Sequence, residues 1–198
     1  MIVRPIEILL VEDSPGDVWL IRETLLQGSV PKNIFVVHNG EQALDYIRQR
    51  GAYTDVLRPD LILLDLNLPR RDGLEVLREV KNDPELRAIT VVVLTTSNSP
   101  VDVNAAYNAN ANCYVVKPVD YERFTVAIRG IEEFWMSMAT LPTFLPPAKA
   151  DQKKSENSAP GTPSAESNGS ASARRKALRS RSRRRLTPIL TNSRFARR

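Results

Sequence analysis

The chain has 198 residues, 42% of them hydrophobic, enough to bury a core of ordinary size. Its net charge of +5 hides two opposed parts: residues 1–148 carry 14 Lys and Arg against 20 Asp and Glu, and residues 149–198 carry 14 against 3. The single Cys113 excludes an intrachain disulfide and reads as a core thiol in a reducing compartment, and "MIVRPIEILLVEDS", interrupted by Glu7, Glu12 and Asp13, does not read as a signal peptide.

The first 140 residues alternate between two hydrophobic periods. "IEILLVED" (6–13) is an apolar run ending in acids and reads as a buried parallel strand. Residues 14–28 follow with helical spacing at Val18, Ile21 and Leu25; Ser14 suits the N-cap, Pro15 the first helical position and Gly28 the stop. A strand is expected at 33–38 and a helix at 40–51. "DLILLD" (60–65) predicts a third strand and 73–83 a third helix, ended by Pro84. The β-branched run 89–97 predicts a fourth strand, and 99–110 a fourth helix. "CYVVK" (113–117) predicts the last strand and 120–140 the longest helix. No run approaches the roughly 18 apolar residues of a membrane helix. The expectation is a soluble, cytoplasmic protein.

Five strands alternating with five helices predict an α/β fold, a doubly wound five-stranded parallel sheet covered on both faces. In such sheets, sites form beyond the carboxyl ends of the strands. Glu12 and Asp13 follow strand 1, Asp65 ends strand 3, Thr95 and Thr96 end strand 4, and Lys117 ends strand 5. Asp65 alone could be a turn-capping acid or the centre of a site. Two carboxylates ~5 Å apart repel by about 3 kcal/mol at an effective dielectric near 20. A cluster of Glu12, Asp13 and Asp65 therefore invites a divalent cation, and oxygen-only ligands suit Mg²⁺. With a lysine and a hydroxyl at hand, the set fits a phosphoryl-accepting aspartate. Other chemistries of this fold lack their residues. "VEDSPGD" has no glycine-rich dinucleotide loop, no GxxxxGK[ST] occurs, and Asp65 is not followed by a second aspartate two positions on.

The stretches "LLVEDS", "LILLDLNLPRRDG", "VVVLTTS" and "CYVVKPVD", in this order, resemble the motifs of receiver domains of two-component response regulators. The resemblance covers about residues 5–138 and implies a flavodoxin-like (βα)5 receiver fold. It implies Asp65 as phosphoacceptor, with Glu12 and Asp13 as the acidic pair and the Asn67 carbonyl completing the Mg²⁺ ligands. It further implies Thr95 as switch hydroxyl, Thr96 at the position bordering the phosphoryl group, Lys117 as its cationic partner and Tyr114 as the aromatic that moves with the switch. Pro118 matches a proline whose bond to the preceding lysine is cis in this family. "EDSPGDVWLIRETL", "NCYVVKPVD" and "IEEFWMSMATLP" are similar to stand-alone response regulators of phytochrome-type histidine kinases. That implies a sensor histidine kinase as partner. It also implies a homodimer through helix 4, strand 5 and helix 5, with Phe134 and Trp135 adding apolar contact. The implied protein is a phosphoacceptor rather than an enzyme, with only its own phosphotransfer and autodephosphorylation. Two other readings remain: a pseudo-receiver that acts by binding alone, and a receiver that regulates its basic extension.

After residue 140 the texture changes. A Pro/Ser/Ala-rich linker is expected over 141–173 and an arginine-rich, disordered tail over 174–198. The tail has the composition of an anchor for nucleic acid or another anionic surface, or of a solvated extension.

Overall fold

A computed structural model describes residues 4–142. The expected tail and all of the expected linker from residue 143 onward lie outside the described residues. Strands β1 (Ile6–Val11), β2 (Lys32–Val37), β3 (Leu61–Leu64), β4 (Thr90–Thr95) and β5 (Cys113–Val116) alternate with helices α1 (Pro15–Leu26), α2 (Gly40–Ile47), α3 (Gly73–Asn82), α4 (Pro100–Asn108) and α5 (Tyr121–Glu132). The sheet is parallel throughout, in the order β2-β1-β3-β4-β5. This is the flavodoxin-like doubly wound arrangement, with its switch point between β1 and β3.

The central strands read as unbroken apolar runs because both faces are covered. Every residue of β3 and β4 is buried. On one face Leu9, Ile62, Val91 and Val93 pack with α2 and α3 through Leu44, Ile47, Val76 and Leu77. On the other, Ile8, Leu63, Val92 and Leu94 pack with α1 and α5 through Ile21, Leu25, Phe124 and Ile128. Each helix starts on a side-chain cap: Ser14, Asn39, Asp72, Ser99 and Asp120 accept backbone N–H groups of the first turn. α4 is the least anchored, burying Ala106 alone.

Most boundaries differ from the sequence expectation by one or two residues, and three of the differences have a local reason. β1 ends at Val11, not Asp13: Glu12 keeps one backbone bond to β2, and the two acids then turn onto the rim. The second helix stops at Ile47, four residues short, where Gln49 (φ 54°) and Gly51 (φ 58°) turn left-handed and end the helix. The expected single helix 120–140 is α-helical only to Glu132 and π-helical over Glu133–Met138. The wider turn sets Met136 in the core with Trp135 packed beside it, while Phe134 and Met138 stay exposed. Among the described residues, no helix is long and apolar enough to cross a membrane.

Candidate functional site

The register brings the polar residues together. Val11 lies opposite Leu64, and Leu64 opposite Val93, so the residues that follow leave the sheet on one rim. Backbone bonds carry the ladder one step further: Asp65 N–H donates to Val11 O (3.0 Å), Glu12 N–H to Val37 O (3.0 Å) and Lys117 N–H to Thr95 O (2.7 Å). Glu12 (1% exposed), Asp65 (6%) and Lys117 (6%) are buried there, while Asp13 is exposed.

Lys117 Nζ is the hub. It donates to Glu12 Oε2 (2.5 Å), Asp65 Oδ2 (2.6 Å) and Asp17 Oδ2 (2.9 Å). Burial on its own would lower the ammonium pKa, but the bonds to Asp65 and Glu12 outweigh it and hold the lysine above its ordinary range. Burial pushes the Glu12 carboxyl up, against the opposing pull of Lys117. One cation thus faces three bonded carboxylates, with Asp13 close by. Carboxylate oxygens of Glu12, Asp13 and Asp65 all lie within 4.8 Å of one another. An all-oxygen donor set with surplus negative charge fits a hard divalent cation such as Mg²⁺.

The far side of Asp65 is held by its own loop. Asn67 N–H donates to Asp65 Oδ1 (3.0 Å), fixing the carboxylate plane. Asn67 Nδ2 donates to the hydroxyls of Thr95 (3.2 Å) and Thr96 (3.3 Å). Thr95 is buried at the end of β4 and Thr96 is exposed beyond it. Gly73 closes the loop: its N–H donates to Leu66 O (3.0 Å), and a Cβ there would stand 2.1 Å from the Asp65 carbonyl. No larger residue fits so close an approach.

The structure therefore gathers Glu12, Asp13, Asp65, Asn67, Thr95, Thr96 and Lys117 on one rim. Pro118, half-buried, follows the lysine. Tyr114 lies on β5, its hydroxyl donating to Ser97 O (2.9 Å). Phe134 and Trp135 lie outside the rim and stack edge-on at 4.9 Å, Phe134 half exposed and Trp135 against its own core. His38 Nδ1 donates to the Glu12 carbonyl (3.0 Å), a local strand-end bond. The sequence reading missed Asp17. Its signal was its place four residues after Asp13, in the first turn of the helix that follows strand 1.

The model of the response regulator receiver domain matches residues 8–129. Response regulator Rcp1 of Synechocystis sp. is 44% identical over 138 residues, spanning 70% of this chain and 94% of that protein. The crystal structure of the phosphorylated cyanobacterial phytochrome response regulator RcpA superposes with a TM-score of 0.69 at 47% identity, over 71% of this chain and 100% of that one. The Mn²⁺-bound form of Rcp1 superposes with a TM-score of 0.69 at 44% identity, over 70% and 100%.

Proposed function

Because this chain belongs to the response regulator receiver domain family, whose signalling rests on phosphorylation, we propose that Asp65 accepts a phosphoryl group from a phosphohistidine of a sensor histidine kinase. A receiver is not an enzyme with a separate substrate; here the acceptor side chain itself is the reactant. An Asp65 oxygen forms a bond to phosphorus as the P–N bond breaks, and the electron pair leaves with the imidazole nitrogen, which takes up a proton. The observation that carries the reading is the setting of Asp65: one oxygen bonded to Lys117, the other to Asn67 N–H, and two further acids within 4.8 Å.

Asp13, Asp65 and the Asn67 carbonyl, with Glu12 beside them, would hold Mg²⁺. Bound there, the ion would offset the charge of the phosphoryl oxygens during in-line transfer. Lys117 neutralises a further phosphoryl oxygen. The Thr95 hydroxyl is freed from Asn67 and drawn inward, and Tyr114 follows by giving up its bond to Ser97. The shift reaches the face of α4, β5 and α5, where Val101, Tyr107, Val116 and Val126 are exposed, with Phe134 and Met138 just beyond. Such an apolar face supports a homodimer that responds to phosphorylation. The donor's docking surface is a separate patch of exposed Trp19, Val119 and Tyr121 beside a cleft of about 480 Å³ that opens on Lys117. The likeness to Rcp1 and RcpA supports a phytochrome-type kinase as donor. The arginine-rich segment 174–198 supports a second contact, to nucleic acid or another polyanion, whose affinity would fall about 10⁴-fold between 50 and 200 mM salt if ~8 cations engaged duplex DNA.

The test is Mg²⁺-dependent labelling by a small acyl phosphate. Native protein should carry an alkali-labile phosphate, Asp65→Asn none, and Lys117→Ala should be labelled but fail to change its dimer affinity. Equal labelling of the Asn variant would overturn the assignment. Absence of label in native protein with any donor would favour a receiver that acts by binding alone.

A further inference from the structure

Among the described residues, three other than glycine adopt left-handed backbone: Gln49 (φ 54°), Arg70 (φ 66°) and Asn110 (φ 63°). Two of them close a helix. Gln49 follows the C-cap of α2 and Asn110 that of α4, places where a left-handed residue turns the chain and satisfies the last carbonyls. Arg70 ends no helix. It is the middle residue of a three-residue turn in the loop from β3 to α3, closed by Arg71 N–H donating to Pro69 O (2.8 Å). Glycine or asparagine would fit this backbone with less strain than arginine. The turn therefore gives no reason for the residue type, and the reason has to lie in the side chain.

The fold makes little use of that side chain. Arg70 Nη1 donates to Glu41 Oε2 at 3.5 Å, and the two side chains are 65% and 58% exposed, so the pair adds little to stability. The neighbouring Arg71 is paired with both Glu75 and Glu79. The loops that leave the sheet on the acidic rim (12–14, 38–39, 65–72, 96–99 and 117–120) hold three lysines and arginines: Arg70, Arg71 and Lys117. Lys117 is buried among its acids and Arg71 is paired twice, which leaves Arg70 as the exposed cation of that rim with charge to offer. An incoming phosphoryl group is anionic and is repelled by the exposed Asp13. A guanidinium held out from the loop that begins at Asp65 attracts it from a distance and presents forked N–H groups that match phosphoryl oxygens.

We propose that Arg70 is a recognition residue for the phosphoryl donor, meeting its phosphoryl oxygens before they reach Asp65. The inference rests on the phosphoacceptor reading of Asp65. Arg70 forms and breaks no covalent bond; its effect lies in the encounter.

The experiment measures the second-order rate constant for labelling of the full chain by a small acyl phosphate, a dianion, at saturating Mg²⁺ and two ionic strengths. Arg70→Asn should be labelled about twofold more slowly than native protein at ~30 mM, the effect of one charge ~10 Å from a dianion in water, and within about 1.2-fold of native at ~0.5 M, where salt screens the attraction. Arg70→Lys keeps the charge and should stay within about 1.3-fold of native at both. The thermal midpoint of Arg70→Asn should equal or exceed that of native protein, since asparagine accepts left-handed backbone more readily. Slower labelling together with a lowered midpoint would assign Arg70 to the loop alone and overturn the inference. A loss that persists at high ionic strength, a Lys variant as slow as the Asn variant, or an Asn variant as fast as native at low ionic strength also overturns it, while labelling of native protein upholds the phosphoacceptor. Absence of label in native protein overturns both.

Discussion

The sheet has a rim at each end, and both rims bury charge, but only one of them balances it. At the amino end, Arg4 grips Asp60 with two nitrogens (2.6 and 2.9 Å), and Asp60 also accepts Glu7 N–H (2.9 Å). There too Lys32, at the start of β2, pairs with Glu132, at the end of α5, and donates to Leu25 O (2.7 Å). Each cation has one acid. At the carboxyl end, Lys117 has three, and Asp13 stands exposed nearby. A balanced buried pair is complete as it is; a surplus of buried acid is incomplete without a further cation or a change of state. Charge balance therefore separates the two rims more sharply than burial does: one pairs each cation with an acid and ties helices and strands together, the other keeps negative charge to spare.

The largest test breaks each hub in turn. Lys32→Met and Lys117→Met should each cost about 3–5 kcal/mol, since each leaves buried carboxylate unpaired. Mg²⁺ should restore much of the loss in the Lys117 variant and none in the Lys32 variant, as read by denaturant unfolding with and without the ion. Next in size is Gly73→Ala. Its new Cβ falls 2.1 Å from the Asp65 carbonyl and 2.7 Å from Leu66 Cα, so it should cost about 2 kcal/mol and slow labelling of Asp65. A smaller effect sharpens the contrast between single acids. Asp65→Asn should change metal-free stability by about 1 kcal/mol or less, because two acids remain on Lys117, whereas Glu132→Gln removes the one carboxylate paired with buried Lys32, leaves it neutral acceptors such as the Leu25 carbonyl, and should cost about 3 kcal/mol. Thermal unfolding of the two variants side by side decides this.

The smallest effect is one of pH. The Glu12 carboxyl is raised above its ordinary 4.5, mainly by burial, so the fold favours its protonated form. Above 4.5 the unfolded chain has lost a proton that the native state still holds, and the stability due to this group falls as pH rises through the folded value. Glu12→Gln should therefore gain on native metal-free protein as pH rises above about 4.5 and lose that gain below it. Urea midpoints from pH 4 to 7 measure the difference.

Much of the carboxyl rim was legible before any coordinates. Glu12, Asp65, Thr95 and Lys117 each follow an apolar run that must be a strand, and in a parallel sheet all strand ends of one sense meet on one edge. The amino rim was not legible. Arg4, Asp60, Lys32 and Glu132 look like ordinary flanking charges, and nothing in their neighbours marks them as partners. Asp17 was passed over for a related reason: an acid in the first turn of a helix is favourable anywhere, so its residue type carries no sign of a distant lysine. The resemblance groups Phe134 and Trp135 as one apolar contact surface. The π-helical turn divides them, Trp135 to its own core and Phe134 to solvent.

What the amino-acid sequence determined by itself is whatever depends on short spacing: the alternation of strand and helix, the caps, the two-sided core and the chemistry of the acceptor edge. Periodicity of two or 3.6 residues acts on neighbours, so it is written in neighbours. What only the tertiary structure decided is which charges meet. Arg4 and Asp60 are 56 residues apart, and Lys32–Glu132 and Asp17–Lys117 each 100. Coulomb attraction and desolvation depend on separation in space and on burial, and packing of the whole sheet fixes both.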